Sequence, residues 1–233
     1  MEKYQISKAE VSFIDPKTRN TFLETEICKN NENYFEKRNT KKYNIIYADP
    51  PWTFKTYSEK GKERKSPELH YDCMTLEDIY NLPVQDIADE NCVLFLWVTS
   101  PMLKQAFETI EQWGFEYKTI AFNWFKKNKI ADSWFWGLGY WTRQNTELCL
   151  LATRGKPTRI NKGIHQVIDW NGFDTEPIAT KLRQHSQKPD EVRNRIVELC
   201  GDIPRIELFA REKFNGWDVW GNEVDSDIEL ITK

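Results

Sequence analysis

A predicted β-strand that ends abruptly in two prolines constrains the fold of this chain most. In the segment NIIYADPPW, residues 44–52, a β-favouring apolar run leads directly into Asp49, Pro50 and Pro51. Because proline has no backbone N–H, neither proline can continue a sheet ladder. The strand therefore presents its next side chains at the carboxyl end of a sheet, which is where open α/β sheets bind their ligands. The segment predicts a ligand site at Asp49.

Further β-favouring runs predict the rest of the sheet. The continuous apolar run 92–98 is typical of a strand covered on both faces. Two predicted strands flank the long loop 126–144, and such an arrangement favours an antiparallel pair at one side of the sheet. The strands predicted after residue 90 cover 92–98, 117–125, 146–153, 205–210 and 216–221.

Three predicted helices separate these strands. Thr75 is expected to cap a short helix, with Asp78 as its acidic partner in the first turn. Ser100 is expected to cap a second helix that has Pro101 in its first position and ends at Gly114. The third helix is expected over 188–201, again with proline near its start and glycine after its end. Strands that alternate with capped helices indicate a mainly parallel, doubly wound α/β sheet.

The length and composition indicate a single domain with a polar arm before it and an acidic tail after it. Its 233 residues can bury a substantial core within a single domain. We expect a polar N-terminal arm over 1–42, a catalytic domain over 43–224 and an acidic tail over 225–233. The sequence contains no apolar stretch of membrane-spanning length and no signal-peptide pattern near its start, so we expect a cytoplasmic protein that contacts no membrane.

The cysteines and histidines give no metal or disulfide pattern. The cysteines are odd in number and contain no C-x-x-C pair, and the histidines lack metal-ligand spacing. We therefore expect structural thiols in a reducing compartment and no bound metal. The cysteines are at positions 28, 73, 92, 149 and 200, and the histidines are at 70, 165 and 185.

Charge is distributed unevenly around a nearly neutral body. The formal net charge is −3, yet the runs 55–65 and 154–162 are strongly basic. Such runs are most often solvated surface, but basic loops around a neutral body also suit contacts with nucleic-acid phosphates. The 10 Trp, 9 Tyr and 13 Phe are equally consistent with a well-filled core and with groups that stack on bases.

The DPPW segment matches the needs of a reaction at an aromatic amine. The exocyclic nitrogen of adenine is a poor nucleophile because its lone pair is delocalised into the ring. The carboxylate of Asp49 and the carbonyl of Pro50 can accept hydrogen bonds from both of its N–H groups, with Pro50 and Pro51 fixing the backbone. Trp52 offers a flat face on which a base can stack, a contact of about 1–3 kcal/mol. The alternative is a local turn in which Asp49 caps and Trp52 belongs to the core.

Seven motifs in a fixed order make the chain resemble a known family. They are YADPPW (47–52), LFLWV (94–98), NWFKKN (123–128), TELCLLATRGKP (146–157), HSQKPDEV (185–192), RIELFAR (205–211) and WGNE (220–223). The chain resembles the DPPW-type adenine-N6 methyltransferases, which include the eukaryotic mRNA adenine methyltransferase catalytic subunit and bacterial and phage DNA-modifying enzymes. Its later motifs are more similar to the prophage-type bacterial members.

The resemblance implies a fold, a cofactor and roles for residues. The implied fold is a Rossmann-like methyltransferase fold in permuted order, with the catalytic DPPW strand before the cofactor-binding strand. The implied cofactor is S-adenosylmethionine. Asp49 would orient the target amine and approach the methionyl amine of the cofactor, while Lys188 would reach its carboxylate or ribose. The other implied cofactor residues are Phe209, Arg211, Asn222 and Glu223. The resemblance also implies that Trp124, Lys126 and Glu147 lie near the acceptor base. The residue chemistry itself adds Trp52 as a stacking face, and Lys55, Tyr57 and Arg143 of the basic, aromatic loops as further substrate-binding candidates.

One segment differs from the eukaryotic enzyme. Lys213 and Phe214 replace a polar His-Asn pair, so their contact with the cofactor stays open. The loops 53–70 and 126–144 are basic and aromatic, and are suited to clamp a nucleic-acid strand, although the tryptophans of the second loop equally suit a dimer interface or a lid.

These observations predict S-adenosylmethionine-dependent methylation of the N6 amine of adenine in DNA. Two alternatives stay open, namely the same reaction on RNA and a catalytically silent nucleic-acid-binding partner subunit. The DNA substrate is expected to be duplex or single-stranded, and the protein to be a monomer or homodimer, with a partner subunit possible.

Overall fold

The computed structural model describes residues 41–52, 74–126, 133, 134, 137, 139, 141–168 and 188–230. In this part of the chain the strands are β1 (Tyr43–Ala48), β2 (Ala88–Val98), β3 (Glu116–Phe125), β4 (Thr146–Arg154), β5 (Val167–Ile168), β6 (Arg205–Leu208) and β7 (Asp218–Trp220). The helices are α1 (Leu76–Tyr80), α2 (Val84–Ile87), α3 (Leu103–Gln112) and α4 (Glu191–Cys200), with a 3-10 turn at Ser100–Met102.

The strands form one mixed sheet in the order β5-β3-β4-β2-β1-β6-β7. Strand β1 is parallel to both β2 and β6, β6 is parallel to β7, and β3 is parallel to β5. Only β4 among the described strands runs the other way, and it is antiparallel to β2 and β3. The predicted mainly parallel α/β fold with an antiparallel pair is confirmed. The two-residue strand β5 carries no sequence signal and was not predicted.

Helices cover both faces of the central strands. On one face, Ile79 of α1 and Ile110 of α3 belong to the same buried cluster as Ile46 of β1. On the other face, Ile196 of α4 belongs to a second buried cluster with Ile45. This double coverage explains why β1 and β2 read as continuous apolar runs.

The helix ends show where sequence signals succeed and fail. The capping box between Thr75 and Asp78 is confirmed. Ser100 was wrongly predicted as an N-cap, since Thr99 occupies that position and Ser100 begins the 3-10 turn. The 3-10 turn contains Pro101, which is tolerated there because a first turn does not need the N–H that proline lacks. The α-helix α3 then begins at Leu103.

The third helix is shorter than predicted. Helix α4 begins at Glu191, so Lys188 lies ahead of it in the approach to the first turn. Gly201 follows the last turn with φ 98°, a left-handed conformation that suits glycine.

The strand ends define one edge of the sheet. Ala48 pairs with Leu96 and with Leu208, and Leu208 pairs with Trp220, so β1, β2, β6 and β7 end side by side. Strand β4 runs in the opposite direction and therefore begins at this edge. We call it the carboxyl edge, after the central parallel strands that end there.

Residues beyond β7 contact the domain. Ile228 is buried in the same cluster as β1, and the Asp227 carboxylate accepts a hydrogen bond from the Val219 backbone N–H at 2.9 Å. The division of the chain at 42 and 224 stays a prediction, and 1–40 lies outside the described residues. No helix in the described part of the chain is long and apolar enough to cross a membrane.

Three cysteines in the described residues are free thiols in the interior. Cys92 and Cys149 lie within β2 and β4, and Cys200 ends α4. Burial raises the pKa of Cys92 to about 12 and that of Cys200 to about 11, which suits small apolar core residues rather than reactive thiols.

Candidate active site

Charged side chains from four elements meet at the carboxyl edge. Asp49 follows β1, Lys188 precedes α4, and Glu147 is the second residue of β4. The Lys188 ammonium donates a hydrogen bond to Asp49 Oδ2 at 2.6 Å, and its nitrogen lies 3.3 Å from Glu147 Oε2. Lys126, just after β3, donates to Glu147 Oε1. The four groups form a chain of alternating charge, which we call the charge chain.

The charge chain is largely buried. The side chains of Lys188 and Glu147 are each 7% exposed, whereas Asp49 is 26% exposed. Burial alone would lower the pKa of Lys188, but Asp49 and Glu147 outweigh it, so that pKa is raised. Burial alone would raise the pKa of Glu147, but Lys188 and Lys126 outweigh it, so that pKa is lowered. Lys188 and Glu147 are therefore charged at neutral pH. Asp49 is the member of the charge chain most open to a ligand.

Lys188 occupies an unusual place for a lysine. The amino end of a helix carries partial positive charge, which disfavours a cation beside the first turn of α4. The two carboxylates compensate for this, and the Trp97 ring lies beneath the ammonium at 5.5 Å. A cation held against the helix dipole in a buried site is a candidate for binding an anionic ligand group.

The DPPW segment forms a tight turn. The Trp52 backbone N–H donates to the Pro50 carbonyl at 2.8 Å and closes a three-residue turn through Pro51. This bond fixes the orientation of the Pro50 carbonyl next to Asp49. A carbonyl oxygen has a second lone pair, so Pro50 can still accept a bond from a substrate.

The structure places Trp52 in the core. Its side chain is 6% exposed, and its indole N–H donates to the Trp97 carbonyl at 2.9 Å. This burial favours the alternative in which Trp52 supports the turn from below, because a buried ring has little surface on which a base can stack.

The residues that follow β6 and β7 lie next to Asp49 along the edge. Phe209 has φ 62°, which ends β6 two residues earlier than predicted, and its ring packs edge-on against Trp220 at 5.4 Å. Arg211 Nε lies 3.6 Å from Glu223 Oε1, and Glu223 is half-exposed. Asn222 is exposed on the same turn. These predicted cofactor residues are therefore brought together around the ends of two neighbouring strands.

Gly221 allows the two strand ends to approach. A Cβ atom at this position would lie 2.2 Å from the Ala210 carbonyl oxygen. The Ala210 N–H donates to the Trp220 carbonyl at 3.0 Å. The glycine of WGNE thus holds Asn222 and Glu223 against the end of β6.

The two residues that differ from the eukaryotic pattern bind other groups. Lys213 donates to Asp227 Oδ1 at 2.8 Å. The Phe214 ring lies 5.0 Å from the Arg193 guanidinium carbon. Both contacts bind the loop after β6 to its surroundings.

Besides Trp52 and Glu147, the predicted substrate residues are Trp124, Lys126, Arg143, Lys55 and Tyr57. Trp124 and Lys126 lie at the end of β3, with the Trp124 ring edge-on to Trp97 at 6.3 Å and the Lys126 ammonium 4.8 Å from the Trp124 ring. Arg143 is exposed three residues before β4. Lys55 and Tyr57 lie outside the described residues.

The second basic run does not begin at this edge. Arg154 ends β4 opposite Cys92, near the start of β2, so 154–162 leaves the sheet at the edge opposite the charge chain. Its Ile160 N–H donates to the Leu199 carbonyl at the last turn of α4.

The residues at the carboxyl edge suit the methionyl end of S-adenosylmethionine. That end carries an ammonium and a carboxylate, and Asp49 and Lys188 offer the complementary charges side by side. The Phe209–Trp220 pair and the polar turn at Asn222 and Glu223 offer apolar and hydrogen-bonding surface for a nucleoside. The donor set therefore fits the cofactor that the resemblance implies.

Sequence reasoning missed several groups beneath this site. The role of Glu147 in joining two lysines was not predicted, although a lone acid in the buried run TELCLL is a signal for one. The ion pair between Arg193 and Glu207 was missed as well. Glu147, Arg193 and Glu207 are all buried.

Comparisons with known proteins show the family to which the chain belongs. A family model described as MT-A70 matches residues 43–223. A type II methyltransferase, M.MunI, from a Mycoplasma species is 35% identical over 210 residues, which cover 83% of each chain. An N(6)-adenosine-methyltransferase MT-A70-like protein from Drosophila melanogaster is 30% identical over 199 residues, which cover 82% of this chain and 29% of the relative.

The human relative is matched over a similar part. The N(6)-adenosine-methyltransferase catalytic subunit METTL3 is 29% identical over 187 residues, which cover 79% of this chain and 28% of METTL3. The chain thus spans less than a third of the length of these two animal relatives, whereas it spans most of M.MunI. Since the family model covers most of the chain, this protein belongs to the MT-A70 family of N6-adenine methyltransferases.

Proposed function

We propose that this protein transfers a methyl group from S-adenosylmethionine to the exocyclic N6 amine of adenine in DNA. The observation that carries the proposal is the pairing of Asp49 with Lys188 at the end of β1, at 2.6 Å. It joins the acid of the DPPW segment to a buried cation on the edge where an α/β sheet binds ligands.

S-adenosylmethionine supplies an activated methyl group when bound. Lys188 would hold its carboxylate and Asp49 its ammonium, while Asn222 and Glu223 would contact its nucleoside. Glu147 holds Lys188 from the opposite side, so the ammonium stays in place when Asp49 turns toward a ligand. A carboxylate can accept about four hydrogen bonds, so Asp49 can serve a cation and the target amine together.

The substrate amine needs orientation more than it needs a base. Asp49 and the fixed Pro50 carbonyl accept its two N–H groups, which directs the nitrogen lone pair out of the ring. The amine becomes acidic once it is alkylated, so its proton can leave afterwards to solvent or to Asp49. The rate therefore depends on positioning and on electrostatic complementarity.

We propose DNA rather than RNA as the substrate for two reasons. The later motifs resemble those of prophage-type bacterial members of the family. The type II methyltransferase M.MunI is matched over 83% of each chain, while the relatives named for adenosine extend far beyond the matched part. RNA is the second candidate, because those adenosine methyltransferases have 29–30% identity to this chain.

The intact charge chain argues against a silent binding subunit. A protein that only binds nucleic acid has no need to bury Lys188 and Glu147 beside an acid at a strand end, given the cost of desolvating each charge. Asp49, Pro50, Pro51 and Lys188 are all present in this chain.

The experiment measures transfer of labelled methyl from S-adenosylmethionine to matched single-stranded DNA, duplex DNA and RNA, followed by nucleoside analysis. The proposal predicts N6-methyldeoxyadenosine from DNA. Label in RNA alone would establish the second candidate, and no label in any substrate would contradict both. The ratio of duplex to single-strand rates reports whether the protein extrudes the base itself, which costs a few kcal/mol.

A further inference from the structure

We propose that Arg193 is a positioning residue that holds the start of α4, and with it the Lys188 ammonium, against the two strands whose ends carry Asp49 and Phe209. The inference rests on the proposed function, because Lys188 is the group whose position matters for the cofactor. Nothing in the family resemblance assigned a role to this arginine.

Arg193 donates three hydrogen bonds from one planar group to two carboxylates. Its Nε donates to Glu207 Oε2 at 2.6 Å, and its Nη2 donates to Glu207 Oε1 at 2.8 Å. Its Nη1 donates to Asp190 Oδ1 at 2.7 Å. Arg193 is 4% exposed and Glu207 is 7% exposed, so this bidentate pair is an interior feature.

These partners belong to the segments that build the site. Asp190 is two residues after Lys188, and Glu207 is two residues before Phe209. Glu207 lies opposite Tyr47 in the pairing of β6 with β1, and Tyr47 is two residues before Asp49. The guanidinium thus ties the approach to α4 directly to the strand beside Asp49.

Two aromatic rings lie beside the Arg193 guanidinium. The guanidinium carbon lies 5.0 Å from the Phe214 ring and 6.0 Å from the Tyr47 ring. The Tyr47 hydroxyl accepts the Trp97 indole N–H at 2.7 Å, and the Trp97 ring lies beneath Lys188. Arg193 therefore also contacts the packing that supports Lys188 from below.

Stability alone does not explain this pair. Replacing a buried ion pair with apolar side chains of similar volume is often neutral or stabilising, because the charges no longer have to be desolvated. An apolar pair would fill the space but would not fix the angle of α4, whereas a bidentate contact sets both distance and orientation. The Arg193–Glu207 pair is therefore expected to act on the geometry of the site.

The test compares the double variant Arg193→Met/Glu207→Leu with the wild-type protein. We expect its melting temperature to equal or exceed that of the wild type, while the Kd for S-adenosylmethionine, measured by calorimetry without nucleic acid, rises about tenfold or more. Arg193→Lys keeps the charge but loses the planar fork, and we expect a smaller rise in Kd, of about threefold to tenfold. KM for the cofactor should follow Kd, while kcat at saturating cofactor changes less.

Arg195→Met is the matched control on the same helix. Arg195 pairs with Glu191 and donates to the backbone carbonyls of His165 and Val167, away from β6. We expect its Kd for the cofactor to stay within about twofold of the wild type, because a contact on another side of α4 does not set Lys188.

Two outcomes would separate this inference from the proposed function. A double variant or Arg193→Lys variant that binds the cofactor as the wild type does would overturn the positioning role and leave the proposed function standing. A wild-type protein that binds no S-adenosylmethionine would refute the proposed function, and the positioning role with it.

Discussion

The Glu147 carboxylate joins the two lysines of the charge chain, so Glu147→Gln tests whether that chain stabilises the fold. The substitution keeps the size of the side chain and removes its charge. Lys188 keeps its 2.6 Å contact with Asp49, whereas Lys126 loses the carboxylate to which it donates. Two ammonium groups are then left beside an uncharged amide.

The burial of these groups sets the magnitude. Removing one partner of a buried ion pair costs about 3–5 kcal/mol, because the other charge is left uncompensated. The Lys126 side chain is 17% exposed and Lys188 keeps one partner, so we expect about 2–4 kcal/mol of lost unfolding free energy.

The pH dependence follows from the two pKa shifts. The pKa of Glu147 is lowered in the folded state, so its contribution is complete above the unfolded value of about 4.3 and is lost as pH falls through the folded value. The pKa of Lys188 is raised, so its contribution is complete below about 10.4 and is lost as pH rises through the folded value. The difference between wild type and variant should therefore be constant from about pH 6 to 9 and narrow below about pH 4.

Urea denaturation of both proteins at several pH values measures this difference. Glu116→Gln is the control, because Glu116 pairs with Lys118 on the exposed surface, where the two side chains are 78% and 41% exposed. We expect a change of about 0–1 kcal/mol for the control. A Glu147→Gln variant that loses no more than this control, or whose loss does not narrow in acid, would refute the account of the charge chain.

Three further substitutions test the supports of the site. Gly221→Ala should lower the unfolding free energy by about 1–3 kcal/mol, because its Cβ would meet the Ala210 carbonyl at 2.2 Å, and an unchanged melting temperature would contradict this close approach. Trp52→Phe should cost about 1–3 kcal/mol by leaving the buried Trp97 carbonyl without its donor, whereas full stability with weakened base binding would restore the stacking role. Tyr47→Phe should cost a similar amount, about 1–3 kcal/mol, by removing the acceptor of the buried Trp97 indole N–H, and thermal unfolding that matches the wild type would count against it.

The meeting of Asp49 with Lys188 could be predicted from sequence. Asp49 follows a strand that two prolines terminate, and the motif that carries Lys188 precedes a helix. In a parallel α/β sheet such positions share the carboxyl edge, so the fold class alone brings them close. The predicted residues Phe209, Arg211, Asn222 and Glu223 follow strands at this edge for the same reason.

The direction of β4 explains one part that sequence left open. Because β4 is antiparallel to its neighbours, its first residues bring Glu147 to the carboxyl edge, and its last residue carries the basic run 154–162 to the opposite edge. The sequence predicts the antiparallel pair, but the edge at which each charged residue lies depends on the register of that pair, which the sequence does not give.

Side-chain packing explains the rest. The in-and-out alternation of side chains along β1 breaks at the prolines. Extending that alternation from Ala48 therefore could not predict that Trp52 is buried beneath the turn. The Arg193–Glu207 pair depends on how α4 docks on β6, which no local pattern encodes. The left-handed backbone of Phe209 is likewise uncommon for a bulky residue and carries no sequence signal.

The most direct test of the central claim is the initial rate of methyl transfer to DNA by the wild type and by Asp49→Asn, with the fold of both checked by circular dichroism. The asparagine keeps the shape of the side chain but removes the charge that pairs with Lys188 and would hold the target amine. The account predicts a loss of about 10²–10³-fold in rate, similar to the loss of one preorganised electrostatic group in other active sites. A folded variant whose rate stays within about threefold of the wild type would contradict the role of Asp49, since electrostatic positioning at this residue would then contribute little.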